Sequence, residues 1–129
     1  VRLLDFADGF ESAAAPSVSV SITVTGTWAS PVAVTALGGI TPAGVAEEII
    51  FIQGSGGPID ITASPQIAAG TSNGQKLTLI CTNDTNTVKV DDATGMALNG
   101  NFTMKAECVL SLIWVSGLNE WMEAGRVER

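Results

Sequence analysis

The chain has no histidine and no tyrosine, which removes most side chains that act as acid or base near neutral pH. A Ser-His-acid triad is excluded outright. Charge is scarce too: 15% of residues are Asp, Glu, Lys or Arg, against about 25% in an average soluble domain. No lysine or arginine occurs between Leu3 and Gln75, and the net charge is −7. Nucleic acid is gripped by clustered Lys and Arg, so no nucleic-acid partner is expected. No apolar run reaches the roughly 18 residues of a membrane-spanning helix, and the first residues lack the basic-then-apolar layout of a signal peptide. No membrane insertion is expected, and synthesis in a cytoplasm is. Cys81 and Cys108 are too few for a disulfide scaffold and, without histidine, too few for a metal site. No metal and no cofactor are expected.

What is present is β alternation, clearest from Glu47 to Val90. Ile50 and Ile52 precede GSGG, then come Ile59 and Ile61; Leu77 and Leu79 precede TNDTN, then come Val88 and Val90. Side chains on a strand alternate faces, so each run puts one apolar row inside and leaves Thr, Gln, Asp and Lys outside. Gly-rich and Asn/Asp-rich turns supply the backbone freedom for the reversals between runs. Cys81 shares parity with Leu77 and Leu79, and Cys108 with Leu110 and Leu112. Both should therefore point inward, as buried free thiols rather than a bridge.

Before this stretch, Val18, Val20, Ile22 and Val24 alternate with Ser and Thr, the pattern of a half-buried strand with its apolar residues inside. VAVTAL after Pro31 reads as a second strand, and Ala43 to Glu48 is compatible with one helical turn. After it, Asn99-Gly100 between Met96–Leu98 and Phe102–Met104 is a hairpin signal. VLSLIWVS, a GLN loop and EWMEAGRV close the chain as two strands. Ile22, Ile50, Leu77 and Leu110 begin runs spaced by 28, 27 and 33 residues. That spacing is either a repeated strand-turn-strand layer or a coincidence of simple alternation.

Residues 1–16, VRLLDFADGFESAAAP, differ from the rest. They read as an N-terminal arm and linker ahead of a single all-β domain at 17–129. Leu3, Leu4, Phe6 and Phe10 are the residues with which such an arm would dock on a partner protein or on a neighbouring subunit; the alternative is an irregular lead into the first strand. The expected fold is all-β, a compact β-sandwich or barrel-like body or a stacked β unit built of short layers. Too few charges are available to cover a small domain, so symmetric self-association is expected to bury the Val, Ile and Ala surplus.

Catalysis would have to come from carboxylates: Glu47, Glu48, Asp84, Asp91, Asp92, Glu120 and Glu123 are the candidates for a glycosidase-like pair. Most lie in predicted turns, where Asp is explained by bonding to its own backbone, and no catalytic residue is assigned. GSGGP lacks the Lys-Ser/Thr of a phosphate loop and reads as a turn. Trp28, Trp114 and Trp121 are expected to pack in a core or interface. Trp121, after the last loop, is the candidate glycan contact.

QGSGGPIDITASPQIAAGTSNGQKLTLICTNDTNTVKVDD, ALNGNFTM and LSLIWVSGLNEWMEAGR, spread over residues 47–126, resemble in that order a pattern of bacteriophage tail-fibre and related virion surface proteins. Cys81 stands where that pattern carries glycine. The resemblance implies a non-enzymatic homotrimer, a fibre, spike or capsid decoration on the virion surface. It would be assembled in the host bacterial cytoplasm, with capsid or tail proteins as its other partners. The alternative is a tail-fibre module that binds a host receptor or surface glycan, with a glycan depolymerase behind it.

Overall fold

A computed structural model describes residues 21–129. The arm residues Leu3, Leu4, Phe6 and Phe10, with Val18 and Val20, lie outside the described residues. Everything described is strand, turn or loop. The elements are β1 (Thr23–Thr25), β2 (Val32–Val34), β3 (Glu47–Gly54), β4 (Ile59–Asp60), β5 (Lys76–Cys81), β6 (Val88–Val90), β7 (Met96–Ala97), β8 (Phe102–Met104), β9 (Val109–Val115) and β10 (Glu120–Val127). A large sheet has the order β1-β3-β5-β9-β10-β7, with β2 also beside β3, and a small sheet has the order β4-β6-β8.

The two strand-turn-strand units are present, but their turns are corners rather than hairpins. β3 runs in the large sheet, turns at 55–58, and continues as β4 in the small one; β5 and β6 repeat the path one layer on. The layers stack in parallel, Ile50 beside Leu79 and Ile59 beside Val88, each partner 29 residues later. Ile40 and Ile67 make a parallel bridge on a third side. The result is a solenoid-like stack with its core inside, because period-2 strands bent at corners turn one apolar row toward the axis. Ile50, Leu79 and Leu110 form one inner column, and Val88 and Met104 form another, all buried. Each such side chain contributes about 1.5–3 kcal/mol on burial.

The corner at Gly54 shows how closely the layers approach. Its amide donates to the Asn86 carbonyl at 2.8 Å, and a Cβ there would stand 2.7 Å from the Thr87 oxygen. Only glycine fits.

The fourth layer runs backwards. β8 is antiparallel to β6 and β9 to β5, and β10 returns along β9 through a tight turn. The Asn99-Gly100 reversal therefore does not make the expected hairpin: β7 pairs with β10 and β8 with β6. The turn forms, but each flanking strand finds a longer-range edge.

Three further expectations are corrected. Residues 44–46 are bends leading into β3, not a helical turn. The spacing from Ile50 to Leu77 misses the register by two residues, since Leu77 lies beside Glu48. Most telling is β1, whose apolar residues face out: Ile22 and Val24 are 46% and 57% exposed, while Thr23 and Thr25 face in. Thr25 Oγ1 donates to Glu48 Oε2 at 2.5 Å, so a buried carboxylate on β3 demands hydroxyls where the alternation pattern expects Val and Ile.

Candidate functional site

Polar side chains inside this stack serve the backbone. Glu48, Gln66 and Gln75 are buried, and burial of such groups is tolerable only with hydrogen-bond partners. Glu48 also accepts from the Ala43 amide at 2.7 Å. Gln66 makes two bonds to Asp91, donating to its carbonyl at 2.7 Å and accepting from its amide at 2.8 Å. Gln75 Oε1 accepts from the Thr71 amide at 2.7 Å. Glu48 and Gln66 tie neighbouring layers together, as a missing strand partner would, and Gln75 closes its own turn.

Most of the candidate carboxylates are similarly occupied. Asp84 accepts from the Ala106 amide at 3.2 Å, Asp92 from Leu98 at 2.9 Å and Glu123 from Asn99 at 2.9 Å. Lys89 bridges Asp91 at 3.4 Å and Asp60 at 3.6 Å. The Asp91 contact, then Asp60, raises its ammonium pKa. Asp92, Asn99, Glu120 and Glu123 line a depression of about 600 Å3 between β7 and β10. Asp92 and Glu123 are engaged in holding the Leu98–Gly100 turn, of which Asn99 is part. Among the described residues, no three of His, Cys, Asp and Glu gather as metal ligands.

Glu123, in the wall of that depression, is half of a latch. A register shift between Glu123 and Gly125 inserts one extra residue, so Glu123 and Arg126 point to the same side. They pair through two bonds, Nη2 to Oε1 at 2.7 Å and Nε to Oε2 at 2.8 Å. Arg126 also donates to the Gly100 carbonyl at 2.9 Å, and its guanidinium carbon lies 4.3 Å from the centre of the Phe102 ring. These hydrogen bonds from Arg126 hold the Glu123 carboxyl below the usual carboxylate range, against the opposing effect of burial. A depressed carboxyl contributes stability that is complete above its unfolded value, about 4.3, and is lost as pH falls through the folded value. Glu123→Gln is expected to cost about 1.5–3 kcal/mol at pH 7, the scale of charged hydrogen bonds. It should also flatten the decline in stability below about pH 4.3. Urea titrations of both proteins from neutral to acid pH measure this; parallel pH curves would remove the latch as the cause.

Trp121, the candidate glycan contact, is 0% exposed. Its Nε1 donates to the Ala68 carbonyl at 3.0 Å, and its ring meets Trp114 edge-on at 5.3 Å between centroids. No face is open for a sugar to stack on. Trp28, in the loop between β1 and β2, is the tryptophan with an open surface. Cys81 and Cys108 are buried free thiols on neighbouring chain segments, the Cys81 amide donating to the Cys108 carbonyl at 3.1 Å. Burial pushes the Cys81 thiol pKa up, which keeps it in the unreactive protonated form. Comparison of the chain with protein-family models, with characterised proteins and with solved structures finds no match.

Proposed function

We propose that this chain is a structural protein of a bacteriophage virion, a trimeric surface fibre, spike or capsid decoration module without catalytic activity. The observation that carries the reading is the stretch from Glu47 to Val90. The residues that resemble phage fibre proteins include β4, β5 and β6 with the corners and loops between them, so the resemblance spans stacked layers of the domain rather than a single loop. Support for a non-enzymatic role comes from Asp84, Asp92 and Glu123, which are spent on turns and corners in a chain with no histidine or tyrosine. Host-glycan binding is left with Trp28, and one exposed indole does not make a sugar site.

In this reading the arm with Leu3, Leu4, Phe6 and Phe10 anchors the module to capsid or tail proteins. The test is incorporation into particles. Antibody label should decorate virions in electron micrographs, and deleting residues 1–15 should leave a β-type circular dichroism spectrum but unlabelled particles. Absence of the intact chain from particles would overturn the reading; normal incorporation of the truncated chain would remove the arm as anchor.

A further inference from the structure

The ladder between β5 and β9 pairs Ile80 with Val109, and one step further along both strands stand Cys81 and Cys108. Hydrogen bonds carry the pairing past that last rung: the Cys81 amide donates to the Cys108 carbonyl at 3.1 Å, and the Glu107 amide donates to the Cys81 carbonyl at 3.0 Å. Two residues thus face one. Glu107 has a left-handed φ of 70°, and the Cys108 amide closes the turn onto the Lys105 carbonyl at 3.0 Å, which makes the site a β-bulge whose first residue is left-handed. The bulge sets Cys108 opposite Cys81. Opposed residues of an antiparallel pair project to the same face, here the core, where Cys81 is 0% and Cys108 2% exposed.

We propose that Cys81 and Cys108 are a redox pair, free thiols in this structure and a cross-strand disulfide under oxidising conditions, which clamps the reversed fourth layer to the parallel stack. The reach is right: residues opposed across ladder hydrogen bonds have Cα atoms about 5.5 Å apart, inside the roughly 4.4–6.8 Å that a disulfide spans. Burial raises the Cys81 pKa most, and the nearby Cys108 thiol adds to the rise. Cys81 Sγ now faces the Asn83 carbonyl at 3.8 Å, a weak contact for a thiol to give up. The oxidant is a small disulfide such as oxidised glutathione. One cysteine thiolate attacks it and releases a glutathione thiol, and the second thiolate displaces the other glutathione from the mixed disulfide. The protein gives up two protons and two electrons, and the oxidant leaves as two thiols. Access runs through the turn at 105–107, where Lys105 and Glu107 are exposed, so exchange waits for that turn to open. The bond would join β5 of the third layer to the start of β9 in the fourth. The proposal concerns the chain alone and does not rest on the virion reading.

The test equilibrates the full-length wild-type chain with mixtures of reduced and oxidised glutathione, folded and in urea, and weighs the acid-quenched products by mass spectrometry. The folded chain should lose two hydrogens, keep no glutathione and stay a single chain. Where exchange in the folded chain is slow, refolding from urea in the same mixtures reaches the same end state. The bridge should form about a hundredfold more readily folded than unfolded, the scale for closing a loop from residue 81 to residue 108. Urea denaturation of the bridged chain should then show an unfolding constant lower by the same factor. Cys108→Ala should show no rise in its urea midpoint on oxidation. Thiols still free after refolding in excess oxidised glutathione would overturn the proposal. So would glutathione retained on either cysteine of the wild type, a bridge no more favoured folded than unfolded, or a midpoint that rises equally in Cys108→Ala. Should that variant fail to fold, the wild-type measurements decide alone.

Discussion

Trp121→Ala is expected to destabilise the domain by about 3–5 kcal/mol, the range for removing a fully buried large aromatic. Three losses combine at this position. The cavity opens beside Trp114, whose ring loses its edge-on partner at 5.3 Å; the Ala68 carbonyl loses the indole donor at 3.0 Å; and β10 loses the side chain that packs beside Met96 of β7. Domains of this size are stable by about 5–15 kcal/mol, so the variant should sit near the limit of folding. Trp121→Phe keeps most of the apolar volume and gives up the hydrogen bond, and should cost roughly 1–3 kcal/mol, the penalty of an unmet buried acceptor together with imperfect packing. Urea denaturation measures both. A glycan-contact role would give the opposite signature, unchanged stability in both variants with loss of sugar binding in Trp121→Ala.

Strand positions were largely legible, because alternation is a local property. The inward parity of Ile50, Ile52, Leu77, Leu79, Leu110 and Leu112 follows from period 2 and holds in the structure. Partners were not legible, since alternation reports faces and says nothing about which edge a strand meets. The Gly-rich turn after β3 and the Asn99-Gly100 turn carry the chemistry of reversals, yet one links two sheets and the other separates strands that pair elsewhere. What decides is the next layer some 29 residues on, which offers β3 and β4 parallel edges at once. β1 inverted for a related reason. Its parity follows Glu48, a residue that alternation marks as inward but that no composition rule would bury.

The candidate site divides the same way. Trp121 follows a loop in sequence, which suggested an accessible ring, but β10 begins at Glu120 and its register with Trp114 turns the indole inward. The outer face of the large sheet, which no described strand crosses, had a signal that parity counting along single strands overlooks. Ile49 and Phe51, Ile80, and Val109 with Ile113 occupy the positions that should be polar if the sheet met water on that side. Reading both parities of one strand shows the excess, which is continuous across β3, β5 and β9 in the row Phe51, Ile80 and Val109, while Ile49 meets Thr78 and Ile113 meets Lys76.

Gly70→Ala is expected to destabilise the domain by about 1–3 kcal/mol or more, the cost of overpacking a tight site. Two effects compete. Gly70 has no left-handed backbone, so alanine there would ordinarily stabilise by about 0.4–1 kcal/mol through a less flexible unfolded chain. Against that, the new Cβ would stand 2.6 Å from Trp114 Cδ2 and 2.7 Å from Trp114 Cβ. The obstacle is an indole already packed against Trp121, not the free end of a flexible side chain, so the steric term dominates and the sign is destabilising. The cause can be isolated with Trp114→Leu as the background, which withdraws the ring from Gly70. There Gly70→Ala should cost at least about 1 kcal/mol less than in the wild type, a coupling expected of residues in direct contact. Equal costs in the two backgrounds, measured by urea denaturation, would show that Trp114 is not what reserves position 70 for glycine.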